Sequence, residues 1–174
     1  MMIPTLLVAC GSGNRESGDT QSEEDSAVQE KSLTEAEAVE QATFVDLDGN
    51  NVPISRFEGK VVLIDFWETW CKPCLASFPT MQQLMDDYPD RFVVLAVTPG
   101  FTNSREDARE FAREHDYDFV YLYDENKLHQ KLNVQGIPFK VFVDAEGNFI
   151  KKSLGSSGPK GDYQQARDII REHS

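Results

Sequence analysis

The stretch Val61–Cys74, "VVLIDFWETWCKPC", decides how this chain is read. Val61 to Trp67 is a continuous apolar run of strand length, interrupted once, by Asp65. Such a run marks a central strand covered on both faces. A carboxylate inside it is costly, because burial without a partner penalises the charged form and raises the pKa. Just beyond the run stand two cysteines, Cys71 and Cys74, with two residues between them.

Downstream, Leu75, Phe78, Met81, Leu84, Met85 and Tyr88 recur at steps of three and four. That spacing predicts a helix over residues 72–88 with one buried stripe, kinked at Pro79. If Cys71 caps this helix, the unpaired backbone N–H groups and the helix dipole favour a thiolate there. Lys72 adds a positive charge beside it. Cys74 lies one turn along on the same side, within reach for a disulfide. Pro73 falls in the first turn, where its missing N–H matters least. The spacing supports a dithiol that cycles, the first sulfur attacking and the second resolving. A lone pair at this spacing can also be half of a zinc site. The chain has three cysteines, at 10, 71 and 74, and three scattered histidines. A second half-site is therefore missing, and His115 and His129, amid charges, read as solvated. No metal is expected.

Working outward, "TFVDLDGNNVPIS" reads as a hairpin around Asp48–Asn50 and "RFVVLAVTP" as a second buried strand. "SREDAREFAREHD" is a helix with Ser104 as N-cap. "FVYLYD" is a short strand, "ENKLHQKLNV" a short helix, "FKVFVDAEGNFIKKS" a hairpin turning at Glu146-Gly147, and "DYQQARDIIREH" a closing helix. Strands separated by helices pair in parallel, and the late hairpin adds antiparallel edges. The fold class is α/β, with a mixed central sheet and helices on both faces.

Of the chain's net charge of −13, residues 1–42 contribute −7, from nine acids and two bases. The remainder is only mildly acidic, and a nucleic-acid partner is not expected, because phosphate binding needs clustered Lys and Arg. Residues 11–41 are acidic and Gly/Ser-rich at their start, and read as a flexible tether ahead of a domain at 42–174. The segment before them, "MMIPTLLVAC", with Gly and Ser following, resembles the bacterial lipobox. The resemblance implies that residues 1–10 form a signal segment and that Cys10 is lipidated, which would hold the protein at a membrane. A frayed N-terminus with an incidental cysteine is the alternative. No Lys or Arg precedes Cys10, and Pro4 interrupts the apolar run.

"DFWETWCKPC", preceded by "GKVVLI", resembles the active-site segment of thioredoxin-like proteins, more closely the membrane-tethered thiol-disulfide oxidoreductases of the TlpA/ResA type. Pro79 matches that family's helix kink, and "VQGIPFKVFVD", Val134–Asp144, matches its cis-proline segment. The resemblance covers residues 43–173 and implies a thioredoxin-like fold with an N-terminal hairpin and a central helix–strand insertion. It implies catalytic roles for Cys71, Cys74 and Asp65, the last passing a proton to and from Cys74. It also implies substrate contacts at Trp70, Lys72, Pro73, Ile137 and Pro138, with a cis peptide before Pro138.

Two positions depart from the family pattern. Phe139 replaces a common threonine, which could make the substrate groove more apolar. Glu68 replaces a small residue, and is expected at the surface. The function implied is exchange with envelope proteins, as a reductant of the cytochrome c maturation type, on the extracytoplasmic face. Partners would be protein thiols and disulfides and a membrane thiol reductant, with the protein a lipid-anchored monomer. No cofactor is expected beyond the Cys71–Cys74 disulfide itself. Rival readings are a copper-binding chaperone of the same fold and a thiol peroxidase.

Overall fold

A computed structural model of the protein describes residues 33–174. Cys10 and most of the expected tether lie outside them. Seven strands form one mixed sheet: β1 Thr43–Asp46, β2 Asn51–Pro53, β3 Val61–Phe66, β4 Phe92–Thr98, β5 Val120–Tyr123, β6 Phe139–Val143 and β7 Phe149–Leu154. Their spatial order is β2-β1-β5-β4-β3-β6-β7. β3, β4 and β5 run parallel at the centre, and antiparallel strands close both sides. Every residue of β3 and of β4 is buried, as their unbroken apolar runs require.

The helices are α1 Glu35–Glu40, α2 Lys72–Asp87, α3 Arg105–Glu114, α4 Leu128–Lys131 and α5 Gly158–His173. Strand alternation sends Val62, Ile64 and Phe66 to one face, where they pack with residues of α1 and α4. Val61 and Leu63 point to the other, against α2, α3 and α5. The predicted helices on both faces are present, and the central insertion supplies α3 and β5, the latter placed between β4 and β1. α2 runs through Pro79 as one continuous helix.

The two hairpins use the same five-residue device, "DLDGN" at 46–50 and "DAEGN" at 144–148. In each, one carboxylate oxygen of the leading aspartate accepts the amides two and four residues on, at 2.7–3.0 Å. The glycine takes positive φ, +97° at Gly49 and +91° at Gly147, where a side chain would be strained.

One boundary differs from expectation. Residues 35–40, assigned to the tether, form α1. Thr34 and Glu37 make a reciprocal capping box, and Ala38 and Val39 are buried against the sheet. Local capping plus two core contacts outweighs the acidic composition of this stretch.

The face that carries α2 is held by an aromatic cluster. Phe78, fully buried, meets Trp67, Phe111, Tyr117 and Phe119 with ring centroids 5.1–5.9 Å apart. Phe78→Ala should cost about 3–5 kcal/mol of stability in a urea titration, through lost burial and a residual cavity.

Candidate active site

The end of β3 and the start of α2 place the two cysteines. Cys71 occupies the N-cap position of α2, Pro73 lies in the first turn, and the amide of Cys74 donates to Cys71 Sγ at 3.3 Å. The two sulfurs are joined in a disulfide, with the Cα atoms 5.3 Å apart. Both residues are buried, and only an edge of Cys71 reaches the surface. Once the bond is reduced, the helix N-terminus is the local feature that favours a thiolate at Cys71. Lys72 and Pro73 are exposed beside the pair.

Asp65 is fully buried on β3, and neither of its carboxylate oxygens has a hydrogen-bond partner. Period-two alternation puts it on the same face as Val61 and Leu63, the face that carries α2. Burial pushes its pKa up to about 6, against the pull of the Lys140 ammonium; the Asp162 carboxylate adds to the rise. Lys140, directly opposite Asp65 on β6, is also buried. Its Nζ stands 3.5 Å from Asp162 Oδ2 on α5 without making a hydrogen bond. Asp162 in turn accepts Ser77 Oγ and Ser156 Oγ, each at 2.7 Å, and the amide of Ser157 at 2.9 Å. Burial raises the Asp162 carboxyl, but these hydrogen bonds and the Lys140 ammonium outweigh it and hold the group below the usual range.

The peptide between Ile137 and Pro138 is cis. Ile137 is half-buried and Pro138 buried, and the amide of Gly155 donates to the Pro138 carbonyl at 2.8 Å. Trp70 is 54% exposed, yet its indole is fixed: Nε1 donates to Glu68 Oε2 and to Thr102 Oγ1, each at 2.7 Å.

Three expectations are corrected. Glu68 is not at the surface; it is fully buried. Its carboxylate accepts the amides of Phe101 and Thr102, the Thr102 hydroxyl and the Trp70 indole, which offset the cost of burying a charge. Phe139 does not enlarge an apolar groove. It is buried on the face opposite the redox pair, beside Phe66 at 6.2 Å, because alternation along β6 turns it there. His129 is buried rather than solvated, its Nδ1 2.7 Å from Asp124 Oδ2. His115 is exposed and stacks on Phe111.

Lys140, Asp162 and Ser77 were not singled out from the sequence. Lys140 carried a usable signal, a charge inside the apolar run "FKVFV", the same anomaly that marks Asp65. Asp162 carried none, since the partners that tie it to the site, Ser77 and Lys140, are far away in sequence.

Exchange of disulfide partners is the chemistry that a helix-capping cysteine pair on this sheet supports, and it defines a thiol-disulfide oxidoreductase of the thioredoxin fold. More particularly, the chain belongs to the AhpC/TSA family, whose model matches residues 34–152. It is 32% identical over 143 residues to the thioredoxin-like protein YneN of Bacillus subtilis (strain 168), covering 80% of this chain and 82% of that protein. It is 29% identical over 112 residues to the thiol-disulfide oxidoreductase ResA of Bacillus cereus (strain ZK / E33L), covering 63% of this chain and 64% of the relative. Among solved structures, the exposed lipoprotein thioredoxin of Streptococcus pneumoniae strain TIGR4 is similar, with a TM-score of 0.61 and 29% identity over 73% of this chain and 98% of that one.

The raised pKa of Asp65 has a consequence for stability. Below about pH 4 the carboxyl is protonated in folded and unfolded chains alike, and burial of the ion costs nothing. As pH rises to about 6 only the folded protein keeps the proton, so stability falls. Above that the full penalty applies, about 3 kcal/mol for a carboxyl raised from its ordinary range to about 6. Asp65→Asn should therefore match the oxidised parent at low pH and exceed its urea stability at pH 8, by up to about that amount.

Proposed function

We propose that the protein reduces disulfides in envelope proteins through the Cys71–Cys74 pair. The Cys71 thiolate attacks one sulfur of a substrate disulfide. That bond breaks, a mixed disulfide forms, and the released substrate thiolate takes up a proton. Cys74 then loses its proton to Asp65 and attacks Cys71 Sγ. The Cys71–Cys74 disulfide closes, and the second substrate thiolate leaves and is protonated. Two electrons pass from the dithiol to the substrate, and a dithiol donor at the membrane restores the pair.

The observation that carries this reading is the helix-capping disulfide with a sealed carboxyl in the strand that leads to it. An acid with a pKa of about 6 changes state readily near neutral pH, as a proton shuttle must. No hydrogen bond joins Asp65 to Cys74, so the proton crosses by way of a water or a movement of the thiol. In this reading Trp70, Lys72 and Pro73 meet the substrate beside Cys71. Ile137 and Pro138 align its backbone, as the resemblance to thioredoxin-like proteins implies.

The likeness to a lipoprotein thioredoxin supports a tethered location, with Cys10 as the acylated residue and the acidic segment as spacer. No helix among the described residues is long and apolar enough to cross a membrane. Reduction of apocytochrome c or similar proteins, as in the cytochrome c maturation type, is the substrate reading we favour.

Cys74→Ser should accumulate mixed disulfides on Cys71 that can be isolated and identified, and Cys71→Ser should accumulate none. Asp65→Asn should fold and resolve the mixed disulfide more slowly, by up to about a hundredfold near neutral pH. Unchanged resolution in that variant removes Asp65 from the cycle. For the anchor, mass spectrometry of the native protein should show diacylglycerol on Cys10 and loss of residues 1–9; an intact, unmodified N-terminus overturns it.

A further inference from the structure

Asp65 is surrounded by a set of charges larger than its proposed role requires. Lys140 stands opposite it in the β3–β6 register, so the two side chains share a face of the sheet. Lys140 is 1% exposed, and its Nζ makes no hydrogen bond. A buried ammonium so poorly satisfied is expensive, and nothing in the packing of β6 calls for one. Its near contact is Asp162 Oδ2 at 3.5 Å. Asp162 is fixed by the hydroxyls of Ser77, on the redox helix, and Ser156, which is exposed.

The ammonium thus belongs to a side chain paired with one carboxyl across the sheet and lies near a second on α5. The second is held by three hydrogen bonds and the first by none. The strand on the other side, β4, offers uncharged Ala96 at the matching position, and the buried residues of α2, Ser77 and Cys74 among them, carry no acid or base. The other buried carboxylates are committed elsewhere, Glu68 to the 101–102 loop and Trp70, Asp124 to His129 and the start of α4.

We propose that Lys140 and Asp162 are positioning residues that act as a charge balance on Asp65, their pairing deciding how readily it holds or releases the proton of the resolving step. This rests on the exchange cycle proposed above. Lys140 favours the ionised form of Asp65, and Asp162 opposes it both directly and by sharing the ammonium. Removing one partner therefore acts in the opposite sense to removing the other. Removing both takes away a pull and a push together, and a buried ion pair replaced as a unit is generally tolerated.

The test follows the Asp65 carboxyl carbon by NMR in the oxidised, full-length protein labelled at aspartate, from about pH 4 to about pH 9, with Asp65→Asn assigning the signal. Lys140→Met should move the titration midpoint up by about one pH unit or more, and Asp162→Asn should move it down. The double variant should return towards the parent. Movement of both single variants in one direction, or of neither, overturns the proposal. A packing defect gives no reason for opposite signs. Where Lys140→Met fails to fold, Asp162→Asn decides alone, since only a downward shift is compatible with the balance.

A second measurement separates this proposal from the cycle beneath it. The pH profile of mixed-disulfide resolution should follow the same displaced midpoints. Opposite NMR shifts with unaltered resolution in all variants, Asp65→Asn included, uphold the electrostatic balance and overturn its catalytic use.

Discussion

A carboxyl and an ammonium facing each other inside the central sheet are the constraint around which this protein is arranged. Asp65 and Lys140 occupy paired positions of β3 and β6, both sealed from water. Neither is suited to that place on its own. The strand must be central, because it delivers Cys71 to the mouth of α2. The carboxyl must be on the α2 face, because two-residue alternation leaves no other choice once Val61 and Leu63 are inside. Lys140, Asp162 and the serines that hold Asp162 are the polar groups the protein supplies in return, and they tie β6, α5 and α2 into one polar cluster within an apolar layer.

Around that cluster the packing is conventional. The aromatic group centred on Phe78 fixes α2 against the sheet, and with it the orientation of the disulfide. On the opposite side of the pair, Glu68 does for the loops what Asp162 does for the helices. Its carboxylate ties residues 101–102 to Trp70, and Asn103 accepts the amide and hydroxyl of Thr69 at 2.7 and 3.0 Å. The exposed indole is therefore a rigid wall beside the sulfurs, held from beneath by a buried charge.

How much of this could be read in the sequence depends on how local each cause is. The strands, the long helices and both hairpins follow from short patterns, and the structure has them near the expected places. α5 starts four residues earlier than "DYQQARDIIREH" suggests, at Gly158. α1 was legible in Thr34-x-x-Glu37 but was masked by the acidic run around it. Asp65 announced itself as a charge in an apolar strand, and Lys140 did so in the same way. The family pattern drew attention to the first and to the proline before the second. Glu68 could not be placed from the sequence, because the amides that satisfy it lie 33 and 34 residues away. His129 belongs to the same class of miss: its burial depends on Asp124 folding back onto the start of α4.

Asp162 belongs to the last helix, after every strand of the sheet is in place along the chain. During synthesis the cysteines, Asp65 and Lys140 all emerge before it. α5 also carries Ala166, Ile169 and Ile170, which are buried in the layer on the same face of the sheet. The apolar cover of that face and the second anion therefore arrive with one helix.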